Sequence, residues 1–279
     1  MKPWLQNLIP QHGLSHFMGK LANAKLGPVT RWAIRQFIAH YRVNMDEAKI
    51  SDYKQFHTFN DFFTRELKVG ARTLPLEKNV VMSPVDGYVS ECGAILQDQL
   101  FQAKGAYFNL RDLCGGDETV ASHFVNGSFL TAYLSPRDYH RFHLPVAGKL
   151  TQMIYVPGKL FSVNPSSVKN VSGLFAKNER VICIFETELG KMAFIAVGAM
   201  IVGSIATQWH GIVAPQQKRI IKKWDYRGQP IGFERGAPIG HFLLGSTVIL
   251  LFEQNKVSWD AAVVTAGKSL QLGDVLARA

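Results

Sequence analysis

Apolar residues in the first part of the chain recur at the spacing of helices. The first helical face is formed by four apolar residues: Leu14, Phe17, Met18 and Leu21. Two further helices are predicted over residues 29–41 and 58–67, and Thr58 or Asn60 is the expected N-cap of the latter. The pattern therefore predicts that the N-terminal part of the chain is a helical segment.

After Leu74 the pattern changes to short runs rich in β-branched and aromatic residues, separated by Gly, Pro and Asn. Six of these runs are predicted as strands: 88–92, 129–134, 149–156, 181–186, 193–197 and 247–252. The sequence thus predicts an α+β fold, in which a mainly antiparallel β catalytic body follows an N-terminal helical segment. We expect residues 1–70 to form the helical, membrane-associating segment and residues 71–279 to form the β-rich catalytic domain.

One uncharged run, residues 192–217, is long enough to span a bilayer. Glycines interrupt it at 198, 203 and 211, Pro215 lies near its end, and β-branched residues dominate its centre. These features favour buried strands over a membrane helix, so no transmembrane anchor is predicted.

The charge of the chain indicates an anionic partner, since 31 basic residues against 21 acidic ones give a net charge of +10. The first 45 residues contain six of the cations and no acid. This composition is typical of a basic amphipathic helix in a membrane interface, where each nearby cation contributes about 1 kcal/mol. The alternative is a helix docked on its own domain. No nucleic-acid partner is predicted, because aromatic residues do not alternate with the cations in a stacking pattern.

The three cysteines, Cys92, Cys114 and Cys183, have neither zinc-binding nor redox spacing. They are expected to be reduced thiols, which favours a cytoplasmic setting.

The most informative segment is GHFLLGSTVIL at residues 240–250, in which Gly-Ser-Thr stands abruptly between apolar residues. It could be a bulge or turn that leads into a buried strand. It could also be a site of self-cleavage, because glycine lets a nucleophile approach its carbonyl. The Ser246 hydroxyl would attack the Gly245 carbonyl to form an ester, and elimination followed by hydrolysis would leave a pyruvoyl group. That ketone binds amines and accepts electrons.

A reactive serine needs a base and a group that orients the base. The segment LSPRDYHRFHLP at residues 134–145 supplies two histidines, His140 and His143, which share one site on a helical turn or diverge on a strand. The pair could also bind a metal, but no glutamate or cysteine stands at usable spacing, so no metal is predicted. Asp86, in the segment SPVDG, is a candidate carboxylate or an ordinary turn residue.

Taken together and in this order along the chain, these three segments resemble the phosphatidylserine decarboxylase family, and the LGST form resembles its bacterial members. The resemblance extends over about residues 56–279, with support from FNDFFTR at 59–65, VGAMIVGSI at 197–205 and RGAPIGHF at 235–242. The first 55 residues carry little of it, so the membrane expectation rests on composition.

The resemblance implies roles for the residues. Asp86, His143 and Ser246 match the self-cleavage triad, with His143 as general base and Asp86 orienting it, and His140 matches a histidine that acts in decarboxylation. Cleavage between Gly245 and Ser246 would give a β chain, 1–245, and an α chain, 246–279, which remain associated.

The implied cofactor is the covalent pyruvoyl group derived from Ser246. It would form a Schiff base with phosphatidylserine and release carbon dioxide to give phosphatidylethanolamine. The implied partner is phosphatidylserine in an anionic membrane, at the cytoplasmic face of a bacterial cell membrane. A homodimer is an open alternative to a monomer.

Two rival functions remain at the level of sequence. A lipid-acting serine hydrolase would use the same three residues without chain cleavage, but Leu244 and Val248 replace the glycines of a nucleophile elbow. A non-catalytic, basic lipid- or nucleic-acid-binding module would tolerate the loss of Ser246.

Overall fold

The computed structural model describes residues 11–77, 79–103, 105–200, 204–216, 218–243 and 246–278. Its helices are α1 (Gln11–Asn23), α2 (Pro28–Tyr41), α3 (Phe59–Phe63), α4 (Leu110–Leu113), α5 (Glu118–Ser122), α6 (Pro165–Asn170) and α7 (Leu174–Lys177). Its strands are β1 (Val80–Met82), β2 (Gly87–Ala94), β3 (Gln99–Ala103), β4 (Ala106–Asn109), β5 (Ser128–Leu134), β6 (Arg141–His143), β7 (Gly148–Val156), β8 (Arg180–Thr187), β9 (Gly190–Gly198), β10 (Ile205–Thr207), β11 (Gly211–Ala214), β12 (Lys222–Asp225), β13 (Gly232–Phe233), β14 (Pro238–Phe242), β15 (Ser246–Phe252), β16 (Ser258–Trp259), β17 (Ser269–Leu270) and β18 (Val275–Arg278).

A nine-stranded antiparallel sheet forms the centre of the body. Its order is β12-β7-β8-β9-β15-β5-β2-β17, and β13 pairs with β7. The apolar residues of β15 alternate between two cores, as the two faces of a strand require. Val248, Leu250 and Phe252 enter one core, whereas Ile249 and Leu251 enter the other. The sheet is therefore buried on both faces, with β15 in its middle.

The first core lies against the four-stranded sheet β11-β10-β14-β6, which contributes Phe142, Ile205 and Phe242. The second core lies against the β3-β4 hairpin and the helices α4 to α7, through residues such as Leu113 and Leu174. A three-stranded sheet, β1-β18-β16, completes the body. The predicted α+β class is confirmed, and all six predicted strands are present with ends shifted by a few residues.

The uncharged run at residues 192–217 folds as strands. Its first part belongs to β9, and β10 and β11 follow it. Residues 201–203 and 217 lie outside the described part of the chain. Across the ranges that the structure describes, no helix combines the length and the apolar character needed to cross a membrane.

The N-terminal helices build a small core of their own around Ile34, Phe62 and Phe63. Thr58 caps α3 through a capping box with Asp61, so Thr58 and not Asn60 is the N-cap. The helix predicted to reach residue 67 ends at Phe63, because the following residues pair with the chain near Ala48 instead. The division between residues 70 and 71 stays a prediction.

Several apolar side chains of α1 and α2 remain outside this core. Phe17 and Trp32 are each 64% exposed, and Val29 is 58% exposed. The exposed apolar side chains thus lie on the two helices of the basic N-terminal segment.

Candidate active site

Ser246 is the first residue of β15, and its backbone is held from both sides. It pairs with Leu134 of β5 and with Gly198 of β9, and both pairings continue without a break to Phe252. The preceding strand, β14, belongs to the other sheet and ends at Phe242. The chain therefore passes from one sheet to the other between the end of β14 at Phe242 and the start of β15 at Ser246. The predicted cleavage residue Gly245 and the Ser246 hydroxyl lie outside the described part of the structure.

Asp86 lies in the turn between β1 and β2, close to the end of β5. The turn is fixed by the Ser83 hydroxyl, which donates to the Val85 carbonyl at 2.7 Å. The next residue, Gly87, has a φ of 150°, and a Cβ at this position would lie 2.1 Å from the Tyr133 carbonyl oxygen. Only glycine lets the turn approach β5 this closely. Asp86 is thereby held one residue away from the row of the sheet that contains Leu134 and Ser246.

The Asp86 carboxylate accepts three hydrogen bonds. Arg72 donates from Nε to Oδ1 at 3.0 Å and from a terminal nitrogen to Oδ2 at 2.5 Å, and the Leu272 amide donates to Oδ1 at 2.8 Å. The same terminal nitrogen of Arg72 contacts Glu47 at 2.7 Å. Both side chains of the Arg72–Asp86 pair are at least nine-tenths buried. The carboxylate is therefore fixed in place, and Arg72 links it to the N-terminal segment.

His143 has a hydrogen-bond partner at each ring nitrogen. Nδ1 lies 2.8 Å from the Gly236 carbonyl oxygen, and Nε2 lies 3.1 Å from the Tyr139 hydroxyl. A carbonyl oxygen only accepts, so Nδ1 carries a proton, and in the neutral ring Nε2 is the basic nitrogen. Burial lowers the pKa of His143, and the Gly236 contact and the charge of Asp86 oppose that effect. The ring is consequently neutral near pH 7, as a general base must be.

The predicted contact between Asp86 and His143 is not a direct hydrogen bond here. The two residues are neighbours, because the His143 amide donates to the Pro84 carbonyl at 2.9 Å. The orienting contact of the ring is instead the Gly236 carbonyl, and Asp86 acts on His143 through its charge. The assignment of Asp86, His143 and Ser246 to one triad stays a prediction.

His140 and His143 diverge, as expected on a strand rather than a helical turn. The His140 ring is fully buried, with its centroid 4.0 Å from that of Phe63, and its Nδ1 lies 2.8 Å from the Asp138 carbonyl oxygen. Burial lowers its pKa to about 3. Its Nε2 has no hydrogen-bond partner within the described ranges. Its carbonyl accepts from the Phe242 amide, which places His140 beside the start of the link between β14 and β15.

Two clefts open beside this arrangement. The larger has a volume of about 620 Å³ and is lined by apolar residues including Val163 and Val168, with Arg137 and Lys169 among its cations. The smaller, of about 260 Å³, contains Asp86 and Arg72. Arg137 also lines the smaller cleft, so the two meet near the turn that holds Asp86.

Sequence reasoning missed three residues of this site. Tyr139 stands inside the segment that drew attention to the histidines, so its signal was present. Arg72 and Glu47 lie in stretches without a recognisable pattern, and only the fold brings them to Asp86. Among the described residues, no group of three or more His, Cys, Asp or Glu side chains is arranged to hold a metal ion.

The structure thus brings to one region a serine at the start of a buried central strand, a buried histidine and a fixed carboxylate, which are the residue types that acid–base chemistry requires. Comparison with known proteins gives the family. The family model described as phosphatidylserine decarboxylase matches residues 59–278, and a second model, described as PSD, matches residues 1–42.

Curated relatives agree with this match over nearly the whole chain. The phosphatidylserine decarboxylase proenzyme of Vibrio parahaemolyticus is 52% identical, over 94% of this chain and 93% of its own. Its counterpart in Polaromonas naphthalenivorans is 50% identical over 98% and 94%, and that of Vibrio campbellii is 51% identical over 98% and 96%. The chain belongs to the phosphatidylserine decarboxylase family.

Proposed function

We propose that this chain is a proenzyme that cleaves itself between Gly245 and Ser246 and then decarboxylates phosphatidylserine to phosphatidylethanolamine. The observation that carries the proposal is the placement of Ser246 at the start of the central strand. Its backbone is held between Leu134 and Gly198, while the preceding strand, which belongs to the other sheet, ends at Phe242. A peptide bond at such a boundary can be broken without unpairing the strand that follows it.

The pairing of the C-terminal piece supports lasting association after cleavage. Residues 246–278 contain β15, which pairs along its whole length with β5 and β9, and β18, which pairs with β1. β17 adds a pairing with β2. Three strands of the α chain thus make four separate pairings with the β chain, and both chains would remain together.

The surroundings of residue 246 fit a pyruvoyl group formed from it. His140 presents a buried Nε2 without a partner in the described residues, beside the chain that leads to this position. When present, the pyruvoyl ketone binds the substrate amine and takes up the electrons released with carbon dioxide. Its site would be dry, because both faces of the central strand are buried.

His143 is assigned the removal of the Ser246 hydroxyl proton. Its Nε2 is the basic nitrogen, and the Gly236 carbonyl fixes its tautomer. Asp86 supports the positive charge that His143 gains, and Arg72 keeps Asp86 in place. His140 is assigned to the later decarboxylation, where a neutral buried imidazole can move a proton to the product carbon.

The larger cleft is assigned to the phospholipid. Its apolar lining suits acyl chains, and Arg137 and Lys169 supply positive charge for a phosphate. The exposed apolar residues of α1 and α2, including Phe17 and Trp32, would enter the membrane interface next to the cations of the same segment. These residues support our proposal that the enzyme works at the surface of an anionic membrane, and we assign it to the cytoplasmic face.

Intact-mass spectrometry of the purified protein tests the proposal. We expect two pieces split between Gly245 and Ser246, the smaller blocked to Edman sequencing, and a release of carbon dioxide from phosphatidylserine vesicles. Ser246→Ala and His143→Ala are expected to remain whole and inactive. A single species of about 31 kDa that acts on lipid without cleavage would favour the serine hydrolase and refute the proposal.

A further inference from the structure

A short basic stretch far along the chain from the N-terminal helices exposes apolar side chains. Residues 218–222, the 218–222 segment, have the sequence KRIIK, and no acidic residue occurs between residues 211 and 223. Ile220 is 56% exposed and Ile221 is 44% exposed, although both side chains are large and apolar. Cations and apolar groups are therefore exposed together in five consecutive residues.

The segment is attached to the body on both sides of its two isoleucines. Arg219 donates to the Gly158 carbonyl at 2.6 Å, just beyond the end of β7. Lys222 begins β12 and pairs with Tyr155 of β7. The exposed isoleucines lie between these two contacts, so they are presented from a fixed base.

The positive charge of this stretch is only partly neutralised. Lys223, directly after the segment, forms an ion pair with Asp117 at 2.6 Å. Lys222 donates to the neutral side-chain oxygen of Gln216, and Lys218 is exposed. Within the described part of the chain, neither of these two lysines forms an ion pair. Their charges are therefore available to an anionic partner.

The register of the central sheet places the segment at the end that contains the candidate site. Lys222 and Tyr155 belong to the row that crosses β8 and β9 and reaches β15 at Val248, two residues after Ser246. Four strand spacings separate β12 from β15, so the segment stands about 19 Å to the side of β15.

The four-stranded sheet relates the segment to the N-terminal helices. β11 precedes the segment and ends at Ala214, which lies opposite Ile205, and Ile205 lies opposite Phe242. The Phe242 amide donates to the His140 carbonyl, and the His140 ring packs on Phe63 of α3. Because the strand order is β11-β10-β14-β6, the two elements flank the same end of this sheet, with the end of β14 between them.

We propose that the 218–222 segment is a second membrane-contact element, which docks on an anionic bilayer. Its isoleucines enter the interface, and its lysines contact lipid phosphates. The inference rests on the proposed function for its reason alone: a substrate with two acyl chains stays in the bilayer, so the end of the body with the site must face it. A contact at the second edge of the sheet fixes that orientation, which the N-terminal helices alone do not.

The chemistry of the segment favours lipid over other partners. A twofold contact of the segment with itself would bring like charges together. A nucleic acid offers phosphates but no apolar layer for the two isoleucines, and the segment has no aromatic side chain on which bases could stack. An anionic bilayer offers both negative charge and an apolar interior, so it matches both kinds of exposed side chain.

Sedimentation with vesicles of phosphatidylglycerol and phosphatidylcholine in equal parts tests the proposal. These lipids lack the serine headgroup, so the assay measures contact with the surface without turnover. The double variant Lys218→Glu with Ile220→Glu should bind at least about 10-fold more weakly, since the loss of one cation alone costs about 5-fold. Charge reversal and the loss of an apolar side chain add to that effect.

The opposite end of the central sheet supplies a matched control. Leu96 follows the end of β2 and is 62% exposed, and Lys256 follows the end of β15 and is exposed. Leu96→Glu with Lys256→Glu makes the same change of charge and apolar surface. This variant should bind vesicles like the unmodified chain, and both variants should keep its midpoint of urea denaturation. Equal weakening of both variants would reduce the effect to net charge and overturn the proposal.

Activity measurements separate this inference from the proposed function. The variant at residues 218 and 220 should decarboxylate a water-soluble, short-chain phosphatidylserine at the normal rate, but should need about 10-fold more lipid when the substrate is in vesicles. Unchanged vesicle binding, with or without a change of oligomeric state in light scattering, overturns the role of the segment. An unmodified chain that decarboxylates neither substrate defeats the proposed function itself, while vesicle binding still decides the role of the segment.

Discussion

Asp86 and Glu179 lie on opposite sides of strand β15 in the central sheet, Asp86 beyond β5 and Glu179 beyond β9. Their surroundings differ. Asp86 accepts three hydrogen bonds, two of them from the guanidinium of Arg72. Glu179 accepts one, from a neutral hydroxyl, and its second oxygen has no partner among the described residues. The first is held by an ion pair with an arginine, whereas burial raises the pKa of the second to about 6.

The difference shows how one sheet can provide two kinds of carboxyl within a short distance. A bidentate arginine offsets the cost of burying a charge and fixes its position. A hydroxyl donor offsets only part of that cost, so burial raises the pKa of Glu179 to about 6. The two carboxyls therefore differ in the number and the charge of the donors around them.

The largest expected effect comes from removing the partner of Asp86. Among the described residues, Arg72→Ala leaves the buried Asp86 carboxylate only the Leu272 amide as a donor, and breaking a buried ion pair in this way costs about 3 kcal/mol or more. We expect that loss in urea denaturation of precursors that also carry Ser246→Ala, so that only the whole chain is measured. Self-cleavage of the single variant should fall in parallel, because Asp86 is no longer held near His143.

An exposed arginine is the control for this experiment. Arg111 forms an ion pair with Glu118 in which both side chains are mostly exposed. Arg111→Ala is expected to cost less than about 1 kcal/mol. If Arg72→Ala costs no more than this control, Asp86 does not depend on Arg72, and the contrast between the two carboxyls is lost.

The next largest effect is on the free energy of unfolding, which the buried Glu179 carboxyl lowers at high pH. Its pKa is raised from 4.5 to about 6 in the folded chain. A raised pKa means that the folded state binds the proton more tightly, so the contribution to stability is complete below pH 4.5 and is lost as the pH rises through about 6. The shift corresponds to a loss of about 2 kcal/mol. In the Ser246→Ala background, Glu179→Gln should therefore be the more stable protein at pH 8, by about that amount.

The pH dependence of this difference is the decisive measurement. Urea denaturation at pH 4.5 should give nearly equal free energies of unfolding for the two proteins, since both then carry a neutral side chain. A Glu179→Gln variant that is less stable than its parent at pH 8 would show that the carboxylate has a partner that stabilises it, and the contrast with Asp86 would be wrong.

Much of the fold follows from local sequence. The alternation of apolar residues in β15 and the glycines within residues 192–217 indicate strands, and strands are found there. Helix α3 was predicted too long, because helical spacing continues past Phe63 whereas the pairing of Ala48 with Leu67 ends the helix. That pairing joins distant parts of the chain, and no local pattern announces it.

The residues of the candidate site also fall into two groups: some have a local signal in the sequence, and others are brought to the site only by the fold. His140, His143, Asp86 and Ser246 stand in unusual local segments and could be named from the sequence. Arg72 could not, since its partner Asp86 is brought to it by the fold. Outside the site, Glu179 had an overlooked signal, because a polar run of Asn178, Glu179 and Arg180 directly precedes an apolar strand. Its meaning depends on the register of three strands, which residue patterns alone do not give.

The smallest predicted effect concerns Tyr139, on the Asp86 side of the site. Burial raises the pKa of Tyr139 to about 12, so its hydroxyl stays protonated and donates to the basic Nε2 of His143. If His143 is the base, as proposed, this hydrogen bond must break before Nε2 takes the proton of Ser246. Tyr139→Phe removes the donor and keeps the ring, so the barrier should fall by about 1 kcal/mol and self-cleavage should become about 5-fold faster. Gel analysis of precursor decay measures the rate, with Tyr107→Phe at a more exposed position as the control. Slower cleavage would instead indicate that the Tyr139 hydroxyl takes part in proton transfer.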